Sequence, residues 1–194
     1  MDREADVTIS EAETERLHSQ LTRYEGMFPG YRMEIVEGNI VMSPVRPFHN
    51  ETIMLVWGQL AAQLDAEWGL MSDVAIPFGP GFEFCPDLAV IPAREKNRDL
   101  TAYSPDLIEL AVEVVSPSSV RNDYETKNKH YAARGIAHYL VLDPLQGHLV
   151  TFWNPGPDGY LGRDTFPYAG MVTLNTRIGK LLIDTAPLPI HPKA

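Results

Sequence analysis

Three charged side chains occupy positions where the surrounding pattern makes charge expensive. In the run Leu107-Ile108-Glu109-Leu110-Ala111-Val112-Glu113-Val114-Val115, strand alternation puts Glu109, Ala111, Glu113 and Val115 on one face. A carboxylate inside such a run is costly unless a cation or hydrogen-bond donors meet it. Glu109 lies near the start and is expected to reach solvent. Glu113 lies deeper, just before Ser116-Pro117, where a crossover helix would leave the sheet. Asp87, after Pro86, opens a second apolar strand, Leu88 to Ile91. If the two strands are neighbours, their carboxylates converge, and convergent carboxylates conflict unless a cation intervenes. A hard divalent ion resolves the conflict. Mg²⁺ suits best, with Mn²⁺ as a substitute, because it is held by one or two carboxylates plus waters and substrate phosphate. The same residues also permit a plainer reading, in which Asp87 caps a turn and Glu113 is bonded to an Arg or Tyr.

The third charge is Lys127. Asp123, Lys127 and Tyr131 are four apart and share a helix face. Either Asp123 and Lys127 form an ordinary surface pair, or Lys127 points back over the strand end toward Glu113. In the second case it can orient water or offset charge on a phosphoryl transition state. Zinc is disfavoured: Cys85 is the only cysteine, and the six histidines show no paired ligand spacing. Phosphate-binding glycine loops and the nucleophile elbow have no match in the chain.

The elements that must position these groups follow from periodicity. Ser10-x-x-Glu13 is a capping box, and Leu17, Leu21 and Tyr24 then predict a helix over 11–24. Met33 to Glu37 and Ile40 to Ser43 flank Gly38-Asn39 as a hairpin. Apolar residues every three or four positions predict a long helix from His49 to Trp68, stopped by Gly69. Strands are expected at 73–78, 87–91 and 107–115, a helix from about Asn122 to Arg134 ending at Gly135, and strands at 138–142 and 148–153. Weakly patterned short strands and an irregular, proline-rich end from Pro187 complete the chain. The expected fold is a single α/β (α+β) domain over residues 1–194, a mixed sheet flanked by helices, with residues 1–9 and 187–194 as irregular tails.

Composition bounds the partners. The chain has 194 residues, 16 Lys plus Arg against 26 Asp plus Glu, and a net charge of −10. No Lys or Arg occurs from Pro47 to Ala93, where six acids do. A protein that coats DNA through a basic surface is therefore excluded, and any nucleic acid must be met through a local site. The longest apolar run, Ile53 to Trp57, is far too short for a membrane span. With one cysteine and no signal-like start, a cytoplasmic protein is expected.

Taken together, Pro86-Asp87-Leu88-Ala89-Val90, Val112-Glu113-Val114-Val115-Ser116-Pro117-Ser118-Ser119 and Asp123-x-x-x-Lys127 resemble the Uma-type family of restriction endonucleases, within the PD-(D/E)xK nuclease superfamily. The run Tyr131 to Pro144 continues the likeness. Upstream, Tyr31 to Gly38 resembles the family's opening hairpin, and His49 a histidine at the start of its long helix; the likeness covers roughly residues 10–185. It implies a restriction-endonuclease-like fold and a Mg²⁺-dependent enzyme cleaving DNA. Asp87 and Glu113 would hold the metal, the Val114 carbonyl would add a ligand, and Lys127 would be the catalytic lysine. Val115 stands where the wider superfamily has its lysine, so the cation is expected from the following helix. Glu34 is a supporting carboxylate near the metal by the same resemblance, and His49 either supports the site or instead caps its helix or bonds a carbonyl. A homodimer would suit the cutting of both strands. A non-cutting binder of the same fold, a hydrolase of another phosphate ester and a structural module remain alternatives.

Overall fold

Alternation of apolar side chains through a central sheet sets the architecture in the computed structural model, which describes residues 9–24 and 27–192. The chain opens with helix α1 (Glu11–Tyr24) and the hairpin β1 (Tyr31–Val36) and β2 (Asn39–Pro44). Helix α2 (Pro47–Ala61) leads to β3 (Trp68–Met71), the hairpin β4 (Ile76–Gly79) and β5 (Phe82–Phe84), and β6 (Leu88–Pro92). After the short α3 (Ala93–Lys96) comes β7 (Leu110–Val114), then a π-helical turn, Asn122–Thr126, running into α4 (Lys127–Ala133). Strands β8 (His138–Asp143), β9 (His148–Gly156), β10 (Gly159–Pro167), β11 (Met171–Thr176) and β12 (Gly179–Asp184) follow.

A six-stranded sheet in the order β10-β9-β8-β7-β6-β3 forms the centre. Only β7 and β8 pair in parallel, because the π turn and α4 cross over between them; the other neighbours are antiparallel. A second sheet, β2-β1-β5-β4, lies beside it, and β11-β12 form a separate hairpin. This is the mixed sheet flanked by helices that the sequence predicts.

The central strands are apolar on both faces, as expected of a covered sheet. Leu88, Val90, Leu110, Val112, Val114, Leu140 and Leu142 join Val56 and Leu60 of α2 in one cluster. Ala89, Ile91, Ala111, Val115, Tyr139 and Val141 face the other way, into an aromatic-rich cluster with Tyr131 of α4 and Phe84 of β5. The β11-β12 hairpin is docked onto α2 by two glutamines. Gln59 bonds the backbone of Asp184 through both its amide oxygen and nitrogen, and Gln63 does the same to Leu182.

Several boundaries depart from expectation. Helix α2 stops at Ala61 rather than Trp68. The chain turns at Asp65, whose carboxylate accepts from Glu67 N, and Trp68 starts a strand paired with Pro92. Leu64 and Trp68 still pack on the same cluster, so helical spacing outlived the helix. The strand expected from Asp73 begins at Ile76, because Asp73 has φ +55° and turns the chain. The run at 107–115 shortens to Leu110–Val114 behind a 3₁₀ turn capped by Ser104. Strand β10 has nine residues, longer than the short strands expected there. Gly135 ends α4 with φ +72°, as its position predicts. The expected N-terminal tail falls outside the described residues except for Ile9. Residues 187–192 form no regular element, although Leu188 is buried.

Candidate active site

Register brings the two carboxylates together. Strand β6 runs antiparallel to β7 with Leu88 opposite Val112, so Asp87 falls next to Glu113. Asp87 is two residues from Ala89, and Glu113 two from Ala111 and Val115, so both share the aromatic-rich face of the sheet. Asp87 is fully buried and Glu113 is 1% exposed. They line one cleft with Arg32, Glu34, His49, Asp123 and Lys127, whose free volume of ≈ 20 Å³ is about the room of one water or ion.

Every oxygen of the pair has a protein donor. Asp87 Oδ1 accepts from Arg32 Nη2 and lies 3.3 Å from His49 Nε2, and Oδ2 accepts from Val114 N at 2.6 Å. Glu113 Oε1 accepts from Tyr131 OH at 2.7 Å, and Oε2 lies 2.9 Å from Lys127 Nζ. Lys127 also reaches Glu34 Oε1 at 3.1 Å and Asp123 Oδ1 at 3.3 Å. Lys127 therefore points at Glu113, and its contact with Asp123 is a buried one rather than an ordinary surface pair. Glu109 is half-buried, near the start of its run as expected.

The π turn sets the geometry of this lysine. Lys127 N–H bonds to Asn122 O, one residue further back than in an α-helix, and Tyr139 OH donates to Asp123 O at 2.7 Å. Asp123, Lys127 and Tyr131 are all buried against the sheet as a result. The remaining basic residues of this stretch, Arg121, Lys129 and Arg134, are exposed.

Charge is not balanced. Glu34, Asp87, Glu113 and Asp123 face two permanent cations, Arg32 and Lys127. Burial pushes Asp87 up, but Arg32 and the His49 contact overcome it and hold this carboxyl well below the usual carboxylate range. Burial pushes Glu113 far up; Lys127 opposes this, while Asp87 and Asp123 add to it. Burial likewise raises Asp123 to about 6, against Lys127 and Ser119 Oγ, which donates to its Oδ2 at 2.6 Å. Burial would lower Lys127, yet Glu113, Glu34 and Asp123 raise it well above its ordinary value. Three carboxylates share one ammonium, so the lysine keeps its proton and the carboxylates compete for another.

A divalent cation would offset part of this cluster's excess of carboxylates. The cluster carries surplus negative charge, and among the described residues Asp123 Oδ1 is buried with no partner besides the Lys127 ammonium at 3.3 Å. Among the described residues no group of three or more His, Cys, Asp or Glu side chains is spaced to enclose a metal.

Two expectations change in detail. Glu34 lies against the lysine and accepts from Cys85 N at 2.9 Å, so it supports Lys127 directly. His49 does not cap α2, whose N-cap is Arg46; it faces Asp87. Arg32 has no role in the sequence reading, yet it bonds Asp87 and also Asp73 Oδ1, at 3.1 Å. Its signal was its place two residues before Glu34, on the same strand face.

Residues 18–179 match the sequence pattern of the Uma2 family, described as "Putative restriction endonuclease". Among solved structures, the fold is similar to the crystal structure of "a putative nuclease belonging to DUF820" from Anabaena variabilis ATCC 29413. The TM-score is 0.57 at 16% sequence identity, covering 74% of this chain and 81% of that one. No curated protein matches the chain in sequence. No helix among the described residues is long and apolar enough to cross a membrane. With a family pattern running from α1 to the final hairpin, this chain belongs to the Uma2 family.

Proposed function

We propose that this protein is a Mg²⁺-dependent endonuclease that hydrolyses phosphodiester bonds in DNA. The observation that carries the reading is the buried Lys127 ammonium, held by Glu113, Glu34 and Asp123 in the cleft that Asp87 also lines. Asp87 and Glu113 would hold the ion, with the Val114 carbonyl as a further oxygen donor. When bound, such an ion supplies Lewis-acid charge and water of lowered pKa. Lys127 remains an ammonium, so it takes no proton from water; it supplies fixed positive charge toward a phosphate whose charge is growing. Arg32 and His49 orient Asp87 and favour its ionised form. Tyr131 fixes Glu113 through the oxygen that Lys127 leaves free.

Because all four oxygens of Asp87 and Glu113 already have protein donors, a non-cutting binder of the same fold is the competing reading. Plasmid DNA separates the two. Wild-type protein with Mg²⁺ or Mn²⁺ should nick or linearise plasmid, and Asp87→Asn should abolish this while its circular dichroism stays native. Equal cutting by Asp87→Asn rejects the site. Binding without cutting by both proteins favours the binder. Hydrolysis of a small phosphodiester without DNA cutting points to another phosphate ester.

A further inference from the structure

Arg32 is shared between the carboxylate cleft and a second, larger cavity of ≈ 430 Å³. That size lies within the range of small-ligand sites. Leu21 and Thr22 of α1 form one wall, Leu100 and Thr101 another, and Glu83 of β5 also lines it. Glu83 is only 5% exposed. Among the described residues its only side-chain hydrogen-bond partner is one nitrogen, His18 Nδ1, 3.0 and 2.8 Å from its two oxygens. A carboxylate has about four acceptor positions, so one ring nitrogen leaves this buried group with spare accepting capacity beside an open space.

The cations tell against grip through phosphate. Arg32 is spent on Asp87 and Asp73, and Lys127 on three carboxylates. Among the described residues no other Lys or Arg lines the cleft or the cavity. A strand entering here gains little from neutralised phosphates, and its affinity must come from contacts with bases. A paired base hides its Watson–Crick edge, whereas an unpaired base presents it.

We propose that this cavity receives one unpaired nucleobase of the strand being cut, with Glu83 accepting from the N–H groups of its Watson–Crick edge. Guanine is favoured, because its N1–H and N2–H₂ donors stand side by side, while thymine offers one N–H between two carbonyls. The substrate in this inference rests on the nuclease reading above; the binding of a base does not.

The test uses the full chain, with dGMP and dTMP as probes in metal-free calorimetry. Wild type should bind dGMP at least tenfold more tightly than dTMP, and Glu83→Gln should erase that preference. Thr22→Trp and Thr101→Trp fill the cavity from α1 and from the Leu100–Thr101 segment, and each should weaken dGMP binding at least tenfold. Helix α1 has no buried residue, so Thr22→Trp costs the core nothing. Equal binding of the two nucleotides, no binding of either, or unchanged dGMP affinity in both filled variants overturns the subsite. In the second arm, duplexes carrying one unpaired guanine are compared with fully paired ones in Mg²⁺. The unpaired site should be cut at least tenfold faster, and Thr22→Trp should bring that ratio toward one; cutting without preference overturns the assignment of substrate. If dGMP binds as expected but no nucleic acid is cut, the nuclease reading fails and the base site stands. If DNA is cut and no nucleotide binds, the reverse holds.

Discussion

Because Glu34, Glu113 and Asp123 all share Lys127, removing its ammonium has two separable consequences. Three buried carboxylates lose their common cation, and breaking a buried pair from one side costs about 3–5 kcal/mol. Lys127→Ala should therefore show a markedly lower midpoint in urea. Assayed at a temperature where circular dichroism shows it folded, it should still lose about 10³-fold or more in cleavage, because its charge acts on the transition state. Lys129→Ala, at an exposed position two residues on, should stay within about 0.5 kcal/mol of wild type and cut normally. A Lys127→Ala variant as stable as wild type would mean that the carboxylates already share protons among themselves.

At the scale of elements, the π-helical turn decides which residues of this helix reach the sheet. A π turn is one residue longer than the α turn it replaces. Deleting Glu125, which is exposed on that turn, should restore α-helical bonding and rotate Asp123 against Lys127 by roughly one residue's turn, about 100°. The Asp123–Lys127 contact and the Tyr139 bond to Asp123 O cannot both survive that rotation. The deletion variant should keep native far-ultraviolet circular dichroism yet lose cleavage by about 100-fold or more. Retained cleavage would show that the turn is incidental to the site.

Over the whole molecule, the buried carboxylates give the metal-free protein an unusual response to pH. Asp123 titrates at about 6 in the fold, above its ordinary 3.8, so between these values the native state binds more protons than the unfolded chain. Its contribution therefore falls as pH rises from about 4 to 6, and Glu113, raised for the same reason, extends the fall upward. Asp87 is shifted the other way, and what it contributes is lost as pH drops below the unfolded value. Metal-free protein should then melt higher at pH 5 than at pH 7.5, and Asp123→Asn should flatten that slope. Mg²⁺ should raise the melting temperature at pH 7.5 and less so at pH 5, since protons compete for the same oxygens. A melting temperature that climbs steadily from pH 5 to 7.5 without metal would contradict the raised carboxyls.

The sequence alone determined what repeats locally. Near-continuous apolar runs at Leu88–Ile91 and Leu107–Val115 marked covered strands and made Glu113 conspicuous inside one. Four-residue spacing put Asp123, Lys127 and Tyr131 on one face, and the run from Pro86 to Pro144 carried the family. Tertiary structure decided what depends on distant pairing. The antiparallel register of β6 on β7 sets Asp87 beside Glu113, and no local pattern encodes which strands pair. Arg32 lies 55 residues from Asp87, and its role appears only when the second sheet meets the first. The end of α2 was hidden because Leu64 and Trp68 pack on the same cluster whether the chain is helical or turning, so their spacing records burial rather than backbone. The single ammonium among three carboxylates is likewise a product of the fold. Glu34 and Asp123 alone read as ordinary surface charges, and only burial together with Glu113 makes the three compete for a proton or a metal ion.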